Sequence, residues 1–256
     1  MESTVSELDS VGCAVLAGAL GDTPETVMSV HRLRRGICHA FVAGAPERPE
    51  AAIVQSHFVP TEPAAFGDDP VQIWSLLREI DGWLSVHVAL DLGPALARLM
   101  ETATGQPRSL LGEIYYVLPR PVAVREHSAV RRLTLADLPL IEASADALEM
   151  TNWRYESATA LLTESFAAGA MIDGRLVAIA FAGARAKQHA EVGVVTAEPW
   201  RGRGFSTAAA ALVCADLQAA GQLPVWSTSA ENLASQRVGA KLGFVEVSRR
   251  VYINPD

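Results

Sequence analysis

The sequence predicts a mixed α/β fold built as two halves, and three observations lead there. Strand-like apolar runs alternate with helix-like stretches in both halves, the pattern of a sheet covered by helices. Asp173-Gly174, a strong short turn signal, separates two apolar runs and reads as a hairpin. A strand-like run ending at Thr196 passes through a glycine-containing loop straight into an alanine-rich helix. The 256 residues, 50% hydrophobic and 20% charged, suffice for one long domain or two compact ones with a real core.

Taken in order, residues 51–58 read as a strand, 71–80 as a helix ended by Asp81-Gly82, and 84–90 as a strand. Residues 94–104 then read as a helix and 112–118 as a strand. Pro119 to Ser128, with two prolines and several charges, is the expected seam, so the domains are expected at 1–127 and 128–256. Beyond it, residues 129–133 read as a strand and 135–144 as a helix with Thr134 as its N-cap. Residues 156–167 read as a helix, 170–172 and 176–183 as the hairpin, and 189–196 as a strand. A helix over 204–220 closed by Gly221, a strand over 223–229, a helix over 231–242 and a strand over 244–253 complete the chain. Both halves thus end strand–helix–strand–helix–strand, which suggests a diverged internal duplication.

Charge and cysteine content narrow the function classes. The net charge is −8, with −7 in residues 1–127 and −1 in residues 128–256, so nucleic acid is not expected as a partner. No run of about 18 apolar residues suggests a membrane span. Three scattered cysteines favour neither a disulfide framework nor a metal site, and the acidic N-terminus is unlike a signal peptide. The expected setting is a reducing cytoplasm, with no metal.

The stretch that carries chemistry is Val194-Val-Thr-Ala-Glu-Pro-Trp-Arg-Gly-Arg-Gly-Phe-Ser-Thr207. Gly202 and Gly204 permit a tight turn at a helix start, whose first N–H groups lack partners and carry partial positive charge. Arg201 and Arg203 add full charge, and Ser206 and Thr207 add hydroxyl donors, so a phosphate or pyrophosphate is the expected ligand. A dinucleotide-binding loop would need a third glycine and an acid about 20 residues on, and a Walker loop would need Gly-Lys-Ser/Thr; neither pattern is present. A second stretch, Glu231-Asn-Leu-Ala-Ser-Gln-Arg-Val-Gly-Ala-Lys-Leu-Gly-Phe244, puts Asn232 and Ser235 on one helical face. Asn232 is equally suited to be an N-cap, and Ser235 to be a solvated position.

Together the two stretches resemble the GNAT N-acetyltransferase superfamily. Arg201-Gly-Arg-Gly-Phe-Ser206 is similar to its acetyl-CoA pyrophosphate loop, and Asn232-x-x-Ser235 with Lys241-Leu-Gly-Phe244 to its second cofactor-side motif. The resemblance is sharp over 189–246, loose over 129–188 and inferential before that. It implies a C-terminal GNAT acyl-CoA N-acyltransferase fold behind a degenerate GNAT-like N-terminal half. It implies acetyl-CoA as cofactor and an amine on a small molecule or peptide as acceptor, in a monomer or homodimer. Backbone groups of Val194, Val195 and Thr196 would meet the pantetheine arm, and one amide the oxyanion. Backbone N–H groups of Arg201, Gly202, Arg203, Gly204, Phe205 and Ser206, with Thr207, would hold the pyrophosphate, and Asn232 and Ser235 would contact pantetheine or adenosine. The strands 189–196 and 223–229 would splay apart to admit the thioester.

Proton handling is less standard. The attacking amine must be neutral, so a base must take its proton. Glu191 is the candidate, although relatives that use a glutamate carry it one place differently relative to the loop, and a surface glutamate at a strand start is the plain alternative. His189 is a weaker candidate. The tyrosine that often protonates the departing thiolate is replaced by Gly239, leaving water or Tyr252. Trp153 and Tyr155 are candidates to line an acceptor pocket or simply to pack. In the first half, the matching loop is Val59 to Pro70, which holds Glu62, Asp68 and Asp69 and no base, so that half is expected to be structural or substrate-shaping and not to bind CoA. Trp74, Trp83, Tyr115 and Tyr116 are expected in core or interface. The alternative reading is a catalytically silent acyl-CoA-binding regulator.

Overall fold

The structure, a computed structural model, describes residues 6–148, 150 and 155–256. Its elements begin with β1 (Ser6–Glu7), α1 (Ser10–Leu20), α2 (Val27–Arg35), β2 (Cys38–Ala45), β3 (Arg48–Ser56) and β4 (Ala64–Gly67). Then come α3 (Pro70–Leu77), β5 (Val86–Ala89), α4 (Gly93–Thr104) and β6 (Arg108–Val117). The second series is β7 (Val130–Arg132), α5 (Leu138–Ser144), α6 (Ala158–Glu164), β8 (Ala167–Ile172), β9 (Arg175–Arg185) and β10 (His189–Thr196). It closes with α7 (Phe205–Ala219), β11 (Leu223–Ser229), α8 (Leu233–Leu242) and β12 (Val245–Pro255). Short 3-10 turns, Leu135–Asp137 and Glu198–Trp200, stand before α5 and α7. Both series read β-α-α-β-β-β-α-β-α-β, so the matching order extends over far more than the five-element tails seen in the sequence.

The chain divides into two compact units whose borders differ from the seam at 119–128. Unit 1 is Met1–Ile114 with Ser229–Glu231 and Ser248–Asp256; unit 2 is Tyr115–Thr228 with Asn232–Val247. β6 starts in unit 1 and ends in unit 2, and β12 does the reverse. Strand pairing decides these memberships, and proline or charge content in a connecting segment carries no information about pairing.

In unit 1 the strands run in the order β1-β2-β3-β4-β5-β12-β6. Ile73, Leu76 and Leu77 of α3 and Leu96 and Met100 of α4 pack with Ile53, Val86 and Val88 of the strands. Trp74 and Trp83 pack on this cluster edge to face, and the Trp83 indole donates to the Leu77 carbonyl at 2.8 Å. The stretch from Val59 to Pro70 is not all loop, because β4 lies inside it. The junction equivalent to β10–α7 is Asp68-Asp69 alone, and Asp69 caps α3 by accepting the Val71 N–H at 2.8 Å. The α3 start is thus capped by a carboxylate.

Unit 1 also buries a polar cluster. His87 Nε2 lies 2.9 Å from Glu113 Oε2, and Arg250 Nη2 donates to the carbonyls of Ala65 and His87 at 2.8 and 3.1 Å. Burial holds the His87 imidazole below its ordinary pKa of 6.5, against the raising effect of Glu113 and with that of Arg250 and Arg32. The unfolded chain therefore takes up this proton first as pH falls. The stability His87 contributes is complete above about pH 6.5 and is lost as pH drops through its lower folded value. Thermal unfolding at about pH 5 and about pH 7.5 should show a larger loss for the native chain than for His87→Phe; equal losses would refute it.

In unit 2 the order is β6-β11-β10-β9-β8-β7. Alternation along β9 and β10 sorts side chains to two faces. Ala180, Ala182, Ala190 and Val192 pack with Ala209, Ala210, Val213, Cys214 and Leu217 of α7. Ile179 and Phe181 pack on the opposite face with Ile141 of α5 and Leu161 of α6. Asp173 and Gly174 form the expected turn, both with positive φ. The helix read over 156–167 is shorter, α6 with Ser157 as N-cap, because residues 167–170 belong to β8. Alanine favours helices in isolation, but here small strand residues let the alanine face of α7 approach the sheet closely, and tertiary packing outweighs propensity. Thr134 and Asp137 form a capping box at the turn before α5, and Arg131 holds the Asp137 carboxyl down to about 2.

Candidate functional site

The site is built around the end of β10. Parallel pairing with β11 covers His189–Glu191 against Leu223–Val225 and ends there, while antiparallel pairing with β9 continues to Thr196. One edge of residues 192–196 therefore faces a gap between the two strands, with its backbone groups not taken by β11. The register with β9 also shifts opposite Glu191/Val192, where Gly183 is the extra residue of a bulge. Thr196 Oγ1 is buried and has no hydrogen-bond partner among the described residues.

Glu191 occupies the last paired position before this gap and is 2% exposed. It is therefore not the surface glutamate that its place in the sequence allowed. Ala190 and Val192 face α7, so Glu191 belongs to the opposite face, with Gly193 against Phe181.

The β10–α7 connection turns on two glycines and enters the helix without a side-chain cap. Gly202 and Gly204 have φ of 78° and 83°, a backbone that an L side chain adopts only under strain, and a β-carbon on either would meet nothing within 4 Å. Gly204 is the N-cap of α7, no side chain caps the helix, and its first backbone bond runs from the Ala208 N–H to the Gly204 carbonyl. The N–H groups of Phe205, Ser206 and Thr207 thus stand at an open helix start of a 15-residue helix. Arg201 Nε donates to the Thr196 carbonyl at 3.2 Å, and the Arg203 guanidinium lies 4.6 Å over the Trp200 ring. Both arginines are steadied by the loop itself.

Asn232 and Ser235 are brought to the start of α8, where both have structural tasks. Asn232 Oδ1 caps the helix by accepting the Ser235 N–H at 3.0 Å, and Ser235 Oγ accepts the Trp226 indole N–H at 3.0 Å. Trp226 follows the last residue of β11 paired with β10, is 1% exposed and lies against Gly239. A β-carbon at Gly239 would meet the indole at 3.7 Å, an ordinary contact. Tyr252 belongs to unit 1, paired with His87 and stacked on its ring at 4.4 Å. Tyr155 is buried in the cluster with α5 and α6, and Trp153 lies outside the described residues. Cys13, Cys38 and Cys214 are buried free thiols, and burial pushes Cys38 and Cys214 up to about 12, which leaves neither as a nucleophile.

A cavity of about 650 Å³ adjoins the loop, between Gly204 and Thr207 of the α7 start, Lys241 at the end of α8, and Arg125 and His127. His127 packs edge-on against Phe205 at 5.2 Å and accepts the Ala129 N–H at Nδ1, which leaves Nε2 to carry the proton of the neutral ring. Arg125 and His127 carry no sequence signal, because they lie in the proline-containing segment 119–128, and only the fold carries them to the loop. Lys241 was legible, within the quoted Lys241-Leu-Gly-Phe244.

Residues 133–251 match the family model described as GNAT acetyltransferase. Solved structures similar to nearly the whole chain share this fold. A GCN5-related N-acetyltransferase-like protein from Streptococcus suis is 18% identical with a TM-score of 0.70, covering 96% of this chain and 99% of its own. A GCN5-related N-acetyltransferase from Kribbella flavida is 19% identical with a TM-score of 0.63, covering 95% of each chain. A tandem GNAT protein from the clavulanic acid biosynthesis pathway is 16% identical with a TM-score of 0.59, covering 97% of each, and fits the two-half architecture. No curated protein matches the sequence. Among the described residues no helix is long and apolar enough to cross a membrane, and no cluster of His, Cys, Asp or Glu could hold a metal ion.

Proposed function

We propose that the chain transfers the acetyl group of acetyl-CoA to an amine on a small molecule or peptide. The observation that carries this reading is the gap between β10 and β11 opening beside an uncapped α7 start. Acetyl-CoA as substrate brings an activated thioester; the residues of the chain bind, align and move a proton. Backbone N–H groups from Arg201 to Thr207 hold the pyrophosphate, and the free edge of Val194, Val195 and Thr196 takes the pantetheine arm. An N–H of that edge supplies the donor for the developing oxyanion, a contribution of about 3 kcal/mol where such donors have been removed. Glu191 takes the proton from the amine, directly or through water. Alignment of the two reactants supplies much of the remaining acceleration. The buried, high-pKa cysteines support direct attack over a thioester on the chain.

The second reading, a silent acyl-CoA-binding regulator, is favoured by one observation, the absence of a tyrosine at Gly239 behind Trp226. The deciding measurement is thiol release from acetyl-CoA across a panel of primary amines and peptide N-termini. Turnover well above the no-amine rate is expected for at least one amine. Tight CoA binding with no turnover on any of them would replace the enzyme with the regulator.

A further inference from the structure

The gap beside β10 has a second side, formed by β11. Partners in a parallel pair point to the same face, so Glu191 and its partner Val225 share one. Trp226 packs with α7 on the opposite face, which places Ser227 on the face of Glu191. The neighbouring strand β6 gives the same placement. The Leu118 N–H donates to the Pro224 carbonyl at 3.0 Å, and the Ala230 N–H to the Gly112 carbonyl at 2.8 Å. These bonds are equally spaced along both strands, so Tyr116 stands opposite Trp226 and Tyr115 opposite Ser227. Tyr116 accordingly packs in the α7 cluster with Trp226. Continued pairing of β10 with β11 would set Ser227 against Gly193, and the strands part before that position.

Ser227 is half-buried, and its hydroxyl makes no hydrogen bond with a described residue. Val225 and Tyr115 beside it are buried. Nearby serines are committed: Ser229 Oγ accepts the Glu231 N–H at 3.1 Å, and Ser235 Oγ the Trp226 indole. The α7 face of the sheet is closed by Ala190, Val192 and Trp226 packing under the helix. An acceptor therefore approaches the gap on the face of Glu191 and Ser227.

We infer that Ser227 is a catalytic residue of the transfer, its Oγ accepting a hydrogen bond from the acceptor amine and aiming the nitrogen lone pair at the thioester carbon. The inference rests on the acetyl-transfer reading above. The N–C bond forms and the C–S bond breaks. Glu191 takes one amine proton, a second N–H stays on nitrogen against Ser227 Oγ, and the departing thiolate is protonated by solvent. Ser227 neither gains nor loses a proton. A primary amine has two N–H bonds, one for each residue, whereas a secondary amine has one. Primary amines are thus the acceptor class.

The test compares kcat/KM for the fastest primary amine of the panel and for its N-methyl counterpart, each with acetyl-CoA. The native chain should prefer the primary amine by about tenfold or more, the size of one good hydrogen bond. Ser227→Ala should lower kcat/KM for the primary amine by about tenfold and for the N-methyl amine far less, so that the preference collapses. Ser227→Thr keeps a hydroxyl and should keep most of the preference. KM for acetyl-CoA should not move, and the pH profile of Ser227→Ala should stay native, unlike that of Glu191→Gln. No preference in the native chain, an unchanged preference in Ser227→Ala, or equal losses on both amines, as a packing role gives, would overturn the assignment and leave acetyl transfer standing. Absence of native turnover on every amine would instead refute the transfer reading, and this role with it.

Discussion

Gly204→Asp should abolish coenzyme A binding, raising the dissociation constant by at least a hundredfold. Two costs combine. The position has φ of 83°, where a residue with a β-carbon is strained by about 1–2 kcal/mol. The larger cost is electrostatic: a carboxylate a few ångströms from a bound pyrophosphate repels it by about 4 kcal/mol at an effective dielectric near 20. The same carboxylate competes for the N–H groups of Phe205, Ser206 and Thr207. Gly204→Asn separates the two effects, since it carries the strain without the charge and should weaken binding much less. The fold should survive both, because nothing lies within 4 Å of the added β-carbon and an acid at a helix start is favourable. Calorimetry with coenzyme A, beside thermal unfolding of each variant, reads both. Native affinity in a folded Gly204→Asp protein would mean that the pyrophosphate does not bind at this helix start.

Glu191→Gln should lower kcat by about 10²–10⁴, the usual range for a lost general base. KM for acetyl-CoA should change little, because the pyrophosphate loop and the free edge of β10 are untouched. Gln keeps the size and much of the hydrogen bonding of a residue that is 2% exposed, so the change removes the charge and spares the packing. The dependence of rate on pH separates a base from a structural acid: the variant should need a higher pH to reach its plateau, as the amine must then lose its proton to solvent. A purely structural Glu191 would lower stability without altering that profile. Unchanged kcat would remove Glu191 from the mechanism.

How much could be read from residues alone differs between the parts of the site. The glycine loop was fully legible, since φ near +80° at Gly202 and Gly204 and an open helix start follow from short-range chemistry. Asn232 and Ser235 were found, but whether they served a ligand or the helix was not; Asn232 Oδ1 and Ser235 Oγ turn out to be engaged by Ser235 N–H and Trp226. The burial of Glu191 was illegible, because it depends on β9 and β11 standing on either side of β10. In the first half, α1, α2 and β2 were not read, and β4 was hidden by its four-residue length. The shortened α6 shows the opposite error, local propensity taken where close packing on α7 ruled.

Local physics sufficed for the mixed α/β class, the hairpin at Asp173-Gly174, the helix start after Gly204 and the near-neutral charge of the half that carries Arg201 and Arg203. Each depends on interactions within a few residues, which a single chain displays directly. Only the tertiary structure decided that β6 and β12 each cross between the units, and that β10 parts from β11 after Glu191. It also decided that Tyr252 stacks on His87, and that Arg125 and Lys241 meet at one cavity. Those outcomes are set by strand pairing and packing between segments more than 30 residues apart, where many partners satisfy the same local pattern and the global minimum selects one.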